Sequence, residues 1–123
     1  MAVNRRNLEM YSGNTFSFDV TVLNAGSAVD VTGYSFRMTA KYSVTDSDND
    51  AVFSITSPGQ IALTDPSNGE ITVTIPPSST SSLETGQTYR LFYDLQMYND
   101  PGIVYTICNG ILKVVPRVSL TAP

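Results

Sequence analysis

Short segments in which apolar and polar side chains alternate run through most of the chain. The clearest are residues 15–23, 34–42 and 88–98, where every second residue is apolar. This period-two pattern is typical of β-strands with one buried side and one side facing solvent. Turn residues such as Asn68-Gly69 separate the segments, and a single helical turn is predicted between Ser78 and Leu83. The sequence therefore predicts an all-β, antiparallel sandwich of seven to nine strands.

The length of the chain allows one hydrophobic core. With 123 residues, it can bury about two-thirds of its extended-chain surface in a single domain. We assign this domain to residues 8–116, an N-terminal arm to residues 1–7 and a C-terminal tail to residues 117–123. The arm, with Val3, Arg5 and Arg6, is predicted to become ordered on a neighbouring subunit. Its deletion is expected to abolish assembly and leave the melting temperature nearly unchanged.

The composition argues against several classes of function. The chain has no histidine, one cysteine and a net charge of −4. These values exclude a Ser-His-Asp triad, an imidazole metal site, an internal disulfide and nucleic-acid binding by bulk positive charge. No apolar window is long enough for a membrane-spanning helix, and no secretory signal follows Arg5 and Arg6. We therefore expect no catalysis, no cofactor, no nucleic-acid or membrane partner, and synthesis in a cytoplasm.

Two groups of acidic residues are candidates for metal binding or catalysis. Asp46, Asp48 and Asp50 have the spacing that opens an EF-hand calcium loop, but the glycine and glutamate required later in that motif are missing. A solvated loop that protects a sheet edge is the simpler interpretation, with calcium as a weak alternative. Asp19 and Asp94 lie on polar faces of two predicted strands and could pair for acid–base catalysis, although solvated surface charges explain them more simply.

Apolar residues on polar strand faces are the stronger functional signal. Phe92 and Tyr98 share a strand face with Arg90, Asp94 and Gln96, and the last two strands are apolar on both faces. A central strand with a bulge at Gly110 explains this pattern. The alternative is a protein partner that covers the second face. The candidate interface residues are Val3, Arg5, Arg6, Phe92, Tyr98, Val104 and Ile111.

Five motifs in order resemble the phage baseplate-upper-protein N-terminal family. They are Tyr11–Val22, Val29–Tyr34, Asn68–Leu83, Gly86–Gln96 and Val104–Gly110. Together they cover roughly residues 8 to 116, and their order and spacing are more specific than any one motif. The resemblance implies an immunoglobulin-like β-sandwich. Family members that anchor receptor-binding machinery usually continue into long further domains, so this chain is expected to be a stand-alone virion component.

The function implied by the resemblance is structural. The chain is expected to be an adaptor or peripheral subunit of the tail or baseplate of a tailed-phage virion, where it binds other virion proteins and forms a homo-oligomer. A capsid decoration protein is the alternative within this class. A carbohydrate-binding module is the alternative from another class, with Phe92, Tyr98, Tyr11 and Tyr42 as candidate aromatic contacts.

Overall fold

The computed structural model describes residues 3–83, 86–99 and 102–119. Within these ranges the chain forms eleven strands and three single-turn 3-10 helices. The strands are β1 (Asn4–Arg5), β2 (Leu8–Tyr11), β3 (Phe16–Thr21), β4 (Leu23–Asn24), β5 (Ser27–Ala28), β6 (Ser35–Lys41), β7 (Phe53–Thr56), β8 (Ile61–Asp65), β9 (Glu70–Ile75), β10 (Tyr89–Asn99) and β11 (Ile103–Val115). The 3-10 helices are Asp48–Asp50, Pro66–Asn68 and Pro77–Ser79.

Nine of the described strands form two sheets that enclose one core. The larger sheet has the order β1-β11-β10-β6-β7, with β2 also paired to β11, and the smaller sheet has the order β3-β9-β8. Strands β4 and β5 form a separate short hairpin. The predicted all-β sandwich is confirmed, and the strand order has the immunoglobulin-like arrangement of three strands facing a sheet built on the last hairpin.

The pairing at one edge of the larger sheet differs from the prediction of an antiparallel fold. Strands β1 and β2 both run parallel to β11, whereas the other paired strands are antiparallel. The larger sheet is therefore mixed. The chain enters along the edge of β11 in the same direction as β11 itself, and about one hundred residues separate the paired positions, so period-two patterning alone carries no information about this pairing.

The core is formed by alternate residues of both sheets, as the pattern predicts. Phe36, Met38 and Leu95 of the larger sheet are fully buried, as are Ile71 and Val73 of the smaller sheet. These side chains belong to one continuous cluster. Burial of one such side chain contributes about 1.5–3 kcal/mol, so the alternating strands supply most of the driving force for folding.

Residues 4–7, which the sequence assigns to an arm, belong to the edge of the larger sheet. Asn4 and Arg5 pair with Cys108 and Asn109, and the Arg6 amide donates to the Asn109 carbonyl at 2.8 Å. The side-chain oxygen of Asn7 accepts a hydrogen bond from the amide of Ile111. Backbone pairing with β11 therefore begins at Asn4, four residues before the boundary predicted from the sequence.

The side chain of Arg6 joins the two sheets. Its guanidinium donates to the Asp19 carbonyl at 2.8 Å and lies 5.2 Å from the centre of the Phe18 ring. The backbone carbonyl of Arg6 accepts a hydrogen bond from the hydroxyl of Tyr93, which is otherwise buried. Arg6 thus satisfies a carbonyl on the exposed edge of β3, which makes that edge less available to other strands.

The β-bulge lies at Ile107 and not at the predicted Gly110. Leu95 pairs with Cys108 and Gln96 pairs with Thr106, so Ile107 has no opposite residue on β10. Consequently Ile107 and Cys108 are both buried although they are consecutive. Gly110 serves a different purpose, since a side chain there would collide with the backbone carbonyl of Arg6. The glycine allows β1 to approach β11 closely.

The connections between strands are short. Pro66–Asn68 forms a turn between β8 and β9, as Asn68-Gly69 predicts. The predicted helical turn from Ser78 to Leu83 is reduced to the 3-10 turn Pro77–Ser79. In the described part of the chain, no helix is long and apolar enough to span a membrane.

Candidate functional site

Four of the predicted interface residues lie on the outer face of the larger sheet. Phe92 pairs with Ile111, and Tyr98 pairs with Val104, across the β10–β11 hairpin. Phe92 is 43% exposed, as its position on a polar strand face predicts. Two polar pairs, Asp94 with Asn109 and Gln96 with Thr106, separate the apolar pairs. The face therefore has apolar residues at two places with a polar region between them.

A shallow groove of about 320 Å³ runs over this polar region. We call it the outer-face groove. Its principal side chains are Arg37, Lys41, Val44, Phe92, Asp94 and Asn109. Strand register explains the arrangement, because Lys41 pairs with Phe92 and Thr39 pairs with Asp94, which places β6 side chains beside those of β10.

The loop between β6 and β7, which contains Asp46, Asp48 and Asp50 and which we call the acidic loop, forms one wall of the groove. Lys41 holds the loop over the sheet: its ammonium lies 2.7 Å from Asp48 Oδ1 and donates to the backbone carbonyl of Asp46 at 2.8 Å. The loop also places Val44, which is 71% exposed, at the rim of the groove. The Lys41 ammonium holds the pKa of Asp48 below its usual range.

The weak calcium prediction for Asp46, Asp48 and Asp50 is not supported. Asp46 accepts a hydrogen bond from the amide of Ser43, Asp48 pairs with Lys41, and Asp50 accepts from the Ser47 hydroxyl. Each carboxylate is thus turned to a different donor. Nowhere in the described ranges do three metal-ligating side chains gather into a possible cation site.

Asp94 lies in the floor of the groove and is half-buried. Burial raises the pKa of its carboxyl, while the charges of Arg37 and Lys41 lower it and that of Asp48 raises it. Asp19 lies on the outer face of the smaller sheet, where it accepts a hydrogen bond from Thr72. The two carboxylates are on opposite sides of the sandwich, so the acid–base pair considered from sequence does not form.

The end of the β10–β11 hairpin is apolar and exposed. Ile103, Val104 and Tyr105, which we call the hairpin tip, are between 38% and 56% exposed. Val104 lies on the outer face of the sheet, and its two neighbours point to the other face. Among the described strands only β10 pairs with residues 103–106, which leaves the other edge of this part of β11 without a strand partner. The central residues of the predicted turn, Asp100 and Pro101, are outside the described residues.

A second groove, of about 390 Å³ and mostly apolar, lies between the end of β3, the β4–β5 hairpin and the edge of the larger sheet. It is lined by Val3, Val22, Leu23 and Ile107, of which Val3 and Leu23 are about half exposed. Val3 therefore lies on an exposed surface, as predicted. Arg5 is also exposed, whereas Arg6 is partly buried and its guanidinium donates to the Asp19 carbonyl within the fold. The prediction of Arg5 and Arg6 as partner contacts stays a prediction.

Sequence reasoning missed several groove residues. Arg37, Val44 and Asn109 were not singled out, since their relation to Phe92 depends on which strands are neighbours. Val44 alone carried a usable signal, because it is an apolar residue in an otherwise polar loop.

Comparison with known proteins adds little. No family model matches the chain, and no curated protein sequence matches it. Among solved structures, the sialyltransferase from Photobacterium damsela is similar with a TM-score of 0.35 and 14% sequence identity. The match covers 93% of this chain and 18% of the sialyltransferase, so the chain spans less than a fifth of that protein. A similarity of this size carries no argument about function.

Proposed function

We propose that the chain is a non-enzymatic structural protein of a tailed-bacteriophage virion. It acts as an adaptor or peripheral subunit of the tail or baseplate and binds other virion proteins there. The motif resemblance supports the virion assignment. The exposed hairpin tip is the observation that carries the binding role, because its three consecutive apolar residues lie on the part of β11 that, among the described strands, pairs only with β10.

The proposed attachment is passive and repeated. A partner that covers the hairpin tip buries the exposed parts of Ile103, Val104 and Tyr105, each worth roughly 1 kcal/mol at the usual area coefficient. A strand of the partner can also pair with the open edge of β11. Each contact is modest, and many copies in one particle make the attachment firm. The chain is made in the host cytoplasm, acts in the assembled particle and uses no cofactor.

The test is the position and the incorporation of the chain in native particles. Cross-linking of purified virions is expected to join this chain, near the hairpin tip, to other copies or to tail or baseplate proteins. Val104→Asp places a charge on the tip and is expected to reduce incorporation at least tenfold. Val44→Asp is the matched control, because Val44 is an exposed valine of the acidic loop, and it is expected to incorporate normally.

The proposal fails if the chain is not found in particles, or if Val104→Asp and wild type incorporate equally. Cross-links to capsid proteins alone would instead assign the chain to capsid decoration. Melting temperatures of both variants separate loss of assembly from loss of folding.

A further inference from the structure

The carboxylate of Asp94 is an acceptor without a donor. It lies between Thr39 and Asn109 in the register of the larger sheet and is half-buried in the outer-face groove. Within the described ranges, neither a hydrogen bond nor an ion pair reaches its oxygens. Its oxygens are not among the fully buried side-chain atoms that lack a partner, so solvent in the open groove reaches them. Hydroxyl groups of a ligand can therefore take the place of water as donors to this carboxylate.

The two neighbouring cations are already engaged elsewhere. Arg37 donates from Nη2 to the side-chain oxygen of Gln96 at 3.1 Å. Lys41 is held by Asp48 and by the Asp46 carbonyl. Both cations lie close enough to act on Asp94 electrostatically, yet neither forms an ion pair with it. The groove thus combines fixed charges of both signs with one free carboxylate.

These charges determine the kind of ligand that fits. A cationic ligand would reach Asp94 only against the repulsion of Arg37 and Lys41. An anionic ligand would be repelled by Asp94 and Asp48. A neutral molecule with several hydroxyl groups is repelled by neither pair of charges. Its hydroxyls can donate charge-assisted hydrogen bonds to the carboxylate of Asp94.

The rest of the groove has the surfaces that such a molecule requires. Phe92 presents an exposed ring at one side of Asp94, on which the apolar face of a sugar ring can pack. Thr39, Thr106 and Asn109 supply further polar groups along the floor. The volume of about 320 Å³ lies at the small end of the range for ligand pockets, which is roughly 300–1,000 Å³.

We infer that the outer-face groove is a binding site for a neutral saccharide, with Asp94 accepting hydrogen bonds from sugar hydroxyls and Phe92 packing against the ring. The inference is independent of the virion assignment, because the hairpin tip is a separate surface.

The test uses the intact chain. A glycan array identifies binders, and calorimetric titration then compares neutral oligosaccharides (maltotriose, lactose, N-acetylchitotriose) with sialylated lactose and with cationic glucosamine oligomers. Saturable binding of a neutral oligosaccharide is expected, with weaker or no binding of the charged ones. Asp94→Asn and Phe92→Ala are each expected to weaken binding about tenfold or more, and their melting curves establish that the variants fold.

Val104→Asp is the matched control, because it changes the hairpin tip and leaves the groove intact. It is expected to bind saccharide with wild-type affinity even where it fails to assemble. The inference is overturned if no neutral saccharide binds saturably, if only charged glycans bind, or if both groove variants bind as wild type does. None of these results bears on assembly through the hairpin tip, so the two proposals fail separately.

Discussion

The two halves of β11 have similar apolar sequences and different surroundings. Residues 108–115 lie between β10 and the parallel strands β1 and β2, and their inward side chains Leu112 and Val114 are fully buried. Residues 103–106 pair only with β10 among the described strands, and Val104 is 56% exposed. The bulge at Ile107 separates the halves.

This difference shows that the apolar residues of β11 need two separate explanations, one for each half of the strand. In the covered half, neighbouring strands and the core explain the apolar residues. In the exposed half, nothing in the described chain covers them, which is the usual sign of an interaction surface. The central-strand interpretation therefore applies to the covered half, and a protein partner for the exposed half stays a proposal.

The largest contrast between the halves is expected in stability. Leu112→Ala removes a fully buried side chain and is expected to lower the free energy of unfolding by about 2–5 kcal/mol. Val104→Ala in the exposed half is expected to change it by no more than about 0.5 kcal/mol. Denaturant unfolding of the isolated chain measures both. Similar losses for the two variants would mean that the tip is part of the core.

The second-largest effect is expected in the N-terminal segment that covers the edge of residues 108–115 of β11. Arg6→Ala removes the hydrogen bond to the Asp19 carbonyl and the contact with the Phe18 ring, and is expected to cost about 1–3 kcal/mol. Arg5→Ala is the matched control, because Arg5 is an exposed neighbour, and a change within about 0.5 kcal/mol is expected. Deletion of residues 1–7 is likewise expected to lower the melting temperature, contrary to the arm hypothesis. Equal melting curves for the deletion variant and wild type would instead support that hypothesis.

The smallest effect is a pH dependence at the outer-face groove beside the covered half. The pKa of Asp94 is raised by burial, so protonation of its carboxyl favours the folded state. The resulting contribution to the free energy of unfolding is complete below 3.8, the pKa of the unfolded state, and is lost as pH rises through the folded-state pKa. Asp94→Asn is therefore expected to raise the melting temperature slightly at pH 7, with the gain disappearing as pH falls through the folded pKa of Asp94.

The charged groups that face Asp94 are Arg37, Lys41 and Asp48. Asp48→Asn is the control variant, because it removes a carboxylate from the same groove whose pKa is shifted in the opposite direction. Because the pKa of Asp48 is lowered, its contribution to stability is present above 3.8 and is lost as pH falls, so this variant is expected to lower the melting temperature at pH 7. A lower melting temperature for Asp94→Asn at pH 7 would contradict the description of Asp94 as an unpaired, desolvated carboxylate.

The sequence predicts the strands and their buried faces well because alternation is local. Phe36, Met38 and Leu95 are identified from their neighbours in the chain and are all fully buried. The parallel pairing of β1 with β11 is not predictable in this way, because it joins Asn4 to Cys108 through backbone hydrogen bonds that depend little on side-chain type. The role of Gly110 shows the same limit, since its cause is the carbonyl of Arg6.

The candidate site also has features that are predictable from the sequence and features that are not. Phe92 and Val104 were recognisable from strand parity and composition, and both are exposed as expected. The free carboxylate of Asp94 depends on where Arg37 and Lys41 direct their donors, which only the three-dimensional arrangement of β6, β10 and the acidic loop determines.

Amide hydrogen exchange along β11 tests the central claim most directly. In the isolated chain, we expect slow exchange throughout residues 108–115 and fast exchange for the amides of residues 103–106 that face away from β10. In the assembled particle, those fast amides are expected to become protected. Uniform protection of residues 103–115 in the isolated chain, or unchanged fast exchange of residues 103–106 in the particle, would contradict the assignment of the hairpin tip as the binding surface.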